Sequence, residues 1–157
     1  MDAELRDLYQ EVIIDHGRHP RNFRRLEGDS RCRQGFNPLC GDQLELCLRL
    51  DDEGRIDEIA FQGQGCAISI ASASMLSEVL KGRSKAEAEA MFDTFHRLLT
   101  GDPGVDTEPL GKLRVLAGVR EFPARIKCAT LAWHALMAAL GPEDKKPGNQ
   151  EPVSTEQ

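Results

Sequence analysis

Leu44, Leu46, Leu48 and Leu50 recur at every second position, with Gln43, Glu45, Cys47 and Arg49 between them. Strict alternation of this kind marks a β-strand with one face in a core. Asp51-Asp52-Glu53-Gly54 reads as a turn, and residues 55–61 as the returning strand. Ile56 and Ile59 fall on opposite parities there, which predicts a bulge or a frayed start. A preceding strand is expected over residues 31–36, so that residues 28–62 make an antiparallel meander.

Helical spacing governs most of the remainder. Leu5, Leu8, Val12 and Ile13, with Tyr9 beside them, form an apolar stripe over residues 2–16, with Gly17 as the stop and Pro20 beyond it. Residues 67–80 are small or apolar through their first half, which predicts a buried helix ended by Gly82. Ser84 and Glu87 form a capping box for a helix reaching Leu99. Residues 110–119 read as a short helix with Leu113 and Leu116 inward. Pro123 opens a last helix over residues 124–140, through Ile126, Leu131, Trp133 and Leu136. Residues 141–157 contain one aliphatic residue, Val153, among Pro, Glu, Gln and Lys, and are expected to be a disordered polar tail. The reading is one domain over 1–140 followed by that tail.

Composition narrows the function. The chain has 157 residues, 40% apolar and 29% charged, which suits a globular domain. A net charge of -6 argues against nucleic acid as the main partner. Arg18, Arg21, Arg24 and Arg25 nevertheless cluster, as a solvated surface or a docking patch. No apolar run reaches the ~20 residues of a membrane helix, and the acidic start Met1-Asp2-Ala3-Glu4-Leu5 lacks signal-peptide features. A cytoplasmic protein with no membrane partner is expected. The five cysteines are an odd count in a long chain, which suits reduced thiols and metal or sulfur chemistry better than a disulfide framework.

The candidate chemistry starts at Cys40-Gly41-Asp42. In an extended chain residues i and i+2 share a face, so a thiol and a carboxylate can converge, and such a pair suits zinc. Cys66 follows Gln62-Gly63-Gln64-Gly65 at a strand-to-helix junction, where the helix dipole stabilises a thiolate. Cys128 falls near the start of the last helix. With Asp42 these three thiols match the four donors of tetrahedral zinc, although each alone could be a small buried hydrophobe. Cys32 and Cys47 read as structural or incidental. His16 and His19, three residues apart, could suggest a metal site, but the favoured reading is a helix C-terminus, where His and Arg lie near the negative end of the dipole.

Three ordered segments resemble the cysteine motifs of the IscU/NifU N-terminal scaffold superfamily: Cys40-Gly41-Asp42, Gly65-Cys66-Ala67-Ile68-Ser69, and residues 125–133, Arg-Ile-Lys-Cys-Ala-Thr-Leu-Ala-Trp. Residues 9–16 and Pro20-Arg21-Asn22-Phe23 resemble its amino-terminal segment. Lys127 stands where the cluster scaffolds usually have a histidine, and the segment between Cys66 and Cys128 is longer than in IscU by about a helix, so the chain is most similar to the SufU type.

That resemblance implies an α+β fold, a three-stranded antiparallel sheet packed with about five helices. It implies Zn²⁺ at Cys40, Asp42, Cys66 and Cys128, and a zinc-dependent sulfurtransferase that accepts persulfide sulfur from a SufS-type cysteine desulfurase. A desulfurase histidine would take the place of the acceptor thiol on the metal, and SufBCD-type machinery would lie downstream. The alternative is a scaffold on which a [2Fe–2S] cluster is assembled. Cys40, in a glycine-containing turn, is the expected sulfur acceptor. Arg125, three residues before Cys128 on the same helix face, could offset the negative charge of the site.

Overall fold

The computed structural model describes residues 3–28, 30–38, 40–102, 104–141 and 153–154. Helix α1 (Ala3–Arg18) leads into strands β1 (Arg31–Asn37), β2 (Asp42–Leu50) and β3 (Ile56–Gln64). Helices α2 (Ala67–Val79) and α3 (Lys85–Leu99), a 3-10 segment (Glu108–Glu121) and α4 (Pro123–Ala139) follow. The three strands pair antiparallel as the predicted meander. A two-residue strand β4 (Val153–Ser154) adds parallel to Gly35 and Phe36, giving the order β3-β2-β1-β4. Part of the segment expected to be a disordered tail therefore pairs with the sheet; residues 142–152 and 155–157 lie outside the described residues.

The parity clash between Ile56 and Ile59 is resolved by a register shift at Arg49/Leu50: Leu50 faces Ile56 while Arg49 faces Glu58. The shift buries both isoleucines. Gly17, expected to stop α1, lies inside it. A Cβ there would stand 3.4 Å from Ala67 Cβ, so this glycine sits at a close helix–helix crossing.

Leu44, Leu46 and Leu48 join α2 and α4 in one core. Helix α2 is buried from Ser69 to Ser77, and its serines find acceptors or donors inside. Ser72 Oγ donates to the Ala129 carbonyl at 2.6 Å, and Ser77 Oγ to the Ser74 carbonyl at 2.7 Å. Ser74 Oγ meets His16 Nδ1 at 2.7 Å and accepts from the Arg21 amide at 2.8 Å. Satisfied hydroxyls are what allow a serine-rich helix to be central. The capping box of α3 is complete at Ser84 and Glu87. Its Phe92 and Phe95 stack on Trp133, each with ring centroids 5.5 Å apart.

The opposite face of β2 is less open than alternation predicts. Residues 22–24 pair with the outer edge of β3, the Arg24 amide donating to the Phe61 carbonyl at 3.1 Å and the Phe61 amide to the Asn22 carbonyl at 3.0 Å, and this brings Leu26 onto that face. Leu26, Cys47 and Ala60 form a small second core there, against which Cys32 packs. Register sets Cys32 directly opposite Cys47, and the two form a disulfide. The expectation of five reduced thiols is corrected for this pair. The local sequence around each cysteine carries no sign of the pair, because pairing is a property of strand register. Among the described residues no helix is long and apolar enough to cross a membrane.

Candidate metal centre

The β1–β2 hairpin supplies two of the candidate donors. Asn37 pairs with Asp42 in the ladder and closes the loop that carries Cys40. Gly41 has φ +70°, a left-handed conformation that costs a glycine little. Cys40 and Asp42 are therefore brought together by the glycine-containing turn and not by an extended chain. Cys66 is the N-cap of α2, with φ -71° and ψ 166°. Its backbone N–H donates to Asp42 Oδ1 at 2.8 Å. Cys128, fully buried, comes from the second turn of α4.

One donor atom each from Cys40, Asp42 and Cys128 lies within 4.8 Å of the others. Cys128 Sγ is 3.1 Å from Cys40 Sγ. Cys66 is adjacent without belonging to that tight group: its backbone holds Asp42, and its thiol acts on the Cys128 titration. The Cys128 thiol is pushed well above its ordinary range, first by burial and then by its contact with Cys40 and the charge of Cys66. Arg125 Nη1 stands 3.5 Å from Cys40 Sγ. Its pKa is raised, chiefly by the Cys128 side chain and then by the charges of Cys66 and Cys40. Arg125, expected to offset the negative charge of the site, meets it at Cys40.

Two contributors carried no periodic signal. Asn37 is fully buried, and its Nδ2 lies 3.2 Å from Asp42 Oδ2 and 3.3 Å from Cys128 Sγ. It could be found only as a polar residue ending a strand beside the Cys40 loop. Gly65 leaves room for the carboxylate: a Cβ there would stand 2.7 Å from Asp42 Oδ1. Gly63, at φ +144°, lies against β2, where a Cβ would reach 2.0 Å from the Gln43 carbonyl oxygen.

The remaining candidates lie elsewhere. His16 is buried against Ser74, with Nε2 4.0 Å from Glu78. Arg21 pairs with Asp15 at 2.7 Å and Arg24 with Glu58 at 3.8 Å, so half of the arginine cluster is balanced by acids. Lys127 is half-buried and, as an ammonium, offers no lone pair to a cation.

The donor chemistry fits a borderline-soft divalent cation. Asp42 is buried, and a carboxylate beside thiols in a largely enclosed site calls for a compensating charge. With Cys66 alongside, the set offers three sulfurs and one carboxylate.

Residues 8–142 match the family described as NifU-like N terminal domain, and the chain belongs to that family. It is 41% identical over 138 residues to the "Iron-sulfur cluster assembly scaffold protein IscU" of Streptococcus pyogenes serotype M1, covering 88% of this chain and 86% of that one. It is also 41% identical over 143 residues to the "Zinc-dependent sulfurtransferase SufU" of Bacillus subtilis (strain 168), covering 91% and 96%. A solved structure of a candidate iron–sulfur cluster assembly scaffold protein for the SUF system, from Fervidobacterium islandicum AW-1, superposes with TM-score 0.79 at 31% identity, over 83% of this chain and 95% of that one. The chain is thus a member of the iron–sulfur cluster assembly scaffold superfamily with a SufU- and IscU-like fold.

Proposed function

We propose that the chain is a zinc-dependent sulfurtransferase, which takes persulfide sulfur from a SufS-type cysteine desulfurase for iron–sulfur cluster assembly. The observation that carries this reading is the unequal placing of the thiols. Cys40 is partly exposed in a glycine turn, while Asp42 and Cys128 are buried on a strand and a helix. A sulfur acceptor has to reach a partner's active site, and a metal ligand has to be held; Asp42 and Cys128 suit only the second task, whereas Cys40 can serve both.

Cys40, Asp42, Cys66 and Cys128 would hold the zinc, which when bound keeps the thiols deprotonated at neutral pH. The Cys40 thiolate attacks the terminal sulfur of the partner's persulfide. A new S–S bond forms at Cys40 as the old one breaks, and the electron pair leaves with the partner's cysteine thiolate. No net oxidation occurs. Arg125, 3.5 Å from Cys40 Sγ, holds positive charge where the thiolate, and then the persulfide, carries negative charge. Asp42 remains anchored by the Cys66 N–H during the exchange.

The test is metal content of the aerobically purified protein, followed by alanine release from the desulfurase with and without it. Stoichiometric zinc with stimulated turnover supports the reading, and Cys40→Ala should abolish sulfur acceptance. A coloured protein with visible absorption and no stimulation would favour the second reading, a scaffold that assembles a [2Fe–2S] cluster. The 41% identity to the IscU-named streptococcal relative supports that alternative.

A further inference from the structure

Asn37 is the last residue of β1, fully buried, and paired with Asp42 across the ladder. A carboxylate only accepts hydrogen bonds, so the amide nitrogen of Asn37 must face Asp42. That nitrogen has two hydrogens and two acceptors within reach, Asp42 Oδ2 at 3.2 Å and Cys128 Sγ at 3.3 Å. The other carboxylate oxygen, Oδ1, is held by the Cys66 N–H at 2.8 Å. Asp42 is therefore gripped at both oxygens, and Cys128 is tied to it through one side chain. The contacts of Cys40 are of another kind: Cys128 itself at 3.1 Å, and a guanidinium reaching in from the exposed face of α4 at 3.5 Å.

We infer that Asn37 is a positioning residue that locks Asp42 and Cys128 into one rigid pair, so that these two ligands keep their places when Cys40 leaves the cation to accept sulfur. This rests on the proposed zinc site and deepens it. The reason is geometric. A hairpin loop pivoting at Gly41 moves Cys40, but it cannot move Asp42 without breaking the Asn37 and Cys66 hydrogen bonds together. Asn37 also carries no charge, so it donates to the carboxylate and to the Cys128 sulfur without neutralising either, which leaves the negative charge that the ligands carry in the metal-bound form for the cation.

Zinc affinity by chelator competition tests this, using wild type, Asn37→Leu (similar shape, no donors), Asn37→Asp (similar shape, an acceptor facing an acceptor), Cys40→Ala and Cys40→Ala/Asn37→Leu. Hydrogen-bond partners of metal ligands typically control affinity by about 10- to 100-fold. Asn37→Leu should weaken zinc by that factor with the apo-protein's circular dichroism unchanged, and Asn37→Asp should weaken it further. Cys40→Ala should still bind zinc, whereas the double variant should lose much more than the two single losses combined. In the cobalt-substituted protein, Asn37→Leu should shift the thiolate-to-metal charge-transfer bands, a signature that packing alone would not move. If Asn37→Leu binds zinc as wild type does, or if the double variant is merely additive, the inference is wrong while the zinc site stands. If wild type itself binds no zinc, the proposed function and this inference both fall.

Discussion

Replacing Gly65 by alanine tests the site through one methyl group. A Cβ at this position would lie 2.4 Å from Ser69 Oγ, 2.7 Å from Asp42 Oδ1 and 3.2 Å from Asp42 Cβ. Gly65 is not in the left-handed region, so backbone conformation is no obstacle and the whole effect is steric. Ser69 can turn away, giving up its 3.1 Å hydrogen bond to the Cys66 carbonyl. Asp42 has no such freedom, because moving it stretches its bonds to the Cys66 N–H and to Asn37. Overpacking costs about 1–3 kcal/mol, and at about 2–4 °C per kcal/mol for a domain of this size the apo melting temperature should fall roughly 2–12 °C. Loss of a hydrogen bond to a charged group costs about 1.5–3 kcal/mol, so zinc affinity should fall roughly 10- to 100-fold. Thermal melts of the apo form and chelator competition for zinc are the assays. Adding Ser69→Ala removes one clash and leaves the other, so it should restore part of the melting temperature and little of the affinity. Wild-type affinity in Gly65→Ala, or full recovery on adding Ser69→Ala, would refute the claim that Gly65 exists to seat Asp42.

Other parts of the fold make independent predictions. Protein purified without reductant should titrate as the three free thiols Cys40, Cys66 and Cys128, rising to five after reduction. Cys32→Ala/Cys47→Ala should lower stability by up to about 3 kcal/mol, the value for a loop of this length, and a count of five thiols before reduction would contradict the pairing. His16 has its pKa lowered below 6.5, first by burial and then by Arg21 and Lys112, against the opposing pull of Glu78 and Asp15. The unfolded chain therefore takes up this proton before the native one does, so stability should decline as pH falls through 6.5 towards the native pKa. His134, lowered by burial and by His96, adds in the same sense. Denaturant titrations at pH 7.5 and 5.5 measure that slope, and His16→Gln should reduce it. Ser84→Ala removes the hydroxyl that accepts from the Glu87 amide at 3.2 Å, and should cost about 1 kcal/mol; an unchanged urea midpoint would show the cap to be idle.

Sequence reading succeeded where the physical cause is local. The leucine alternation of β2 follows from strand geometry, the α3 start from Ser84 and Glu87, and the bulge beside Ile56 from parity alone. It misjudged Gly17 because a glycine that permits a close helix crossing looks the same in sequence as one that ends a helix. Residues 110–119 read as a short helix, but the apolar spacing could not separate an α-helix from the 3-10 segment that forms, broken at Gly111.

The candidate site divides along the same line. Its candidate donors could be named from the chain, because a thiol beside a carboxylate and a thiol at a helix start have a chemistry that residue type and local position determine. Their convergence could not, since it depends on β2, α2 and α4 packing into one corner. The tertiary structure alone decided that Asn37 bridges Asp42 and Cys128, that Gly65 makes room for the carboxylate, and that Cys32 faces Cys47. Each of these is a relation between segments 15 to 91 residues apart, or between neighbouring strands in register, and short-range periodicity carries no information about such distances.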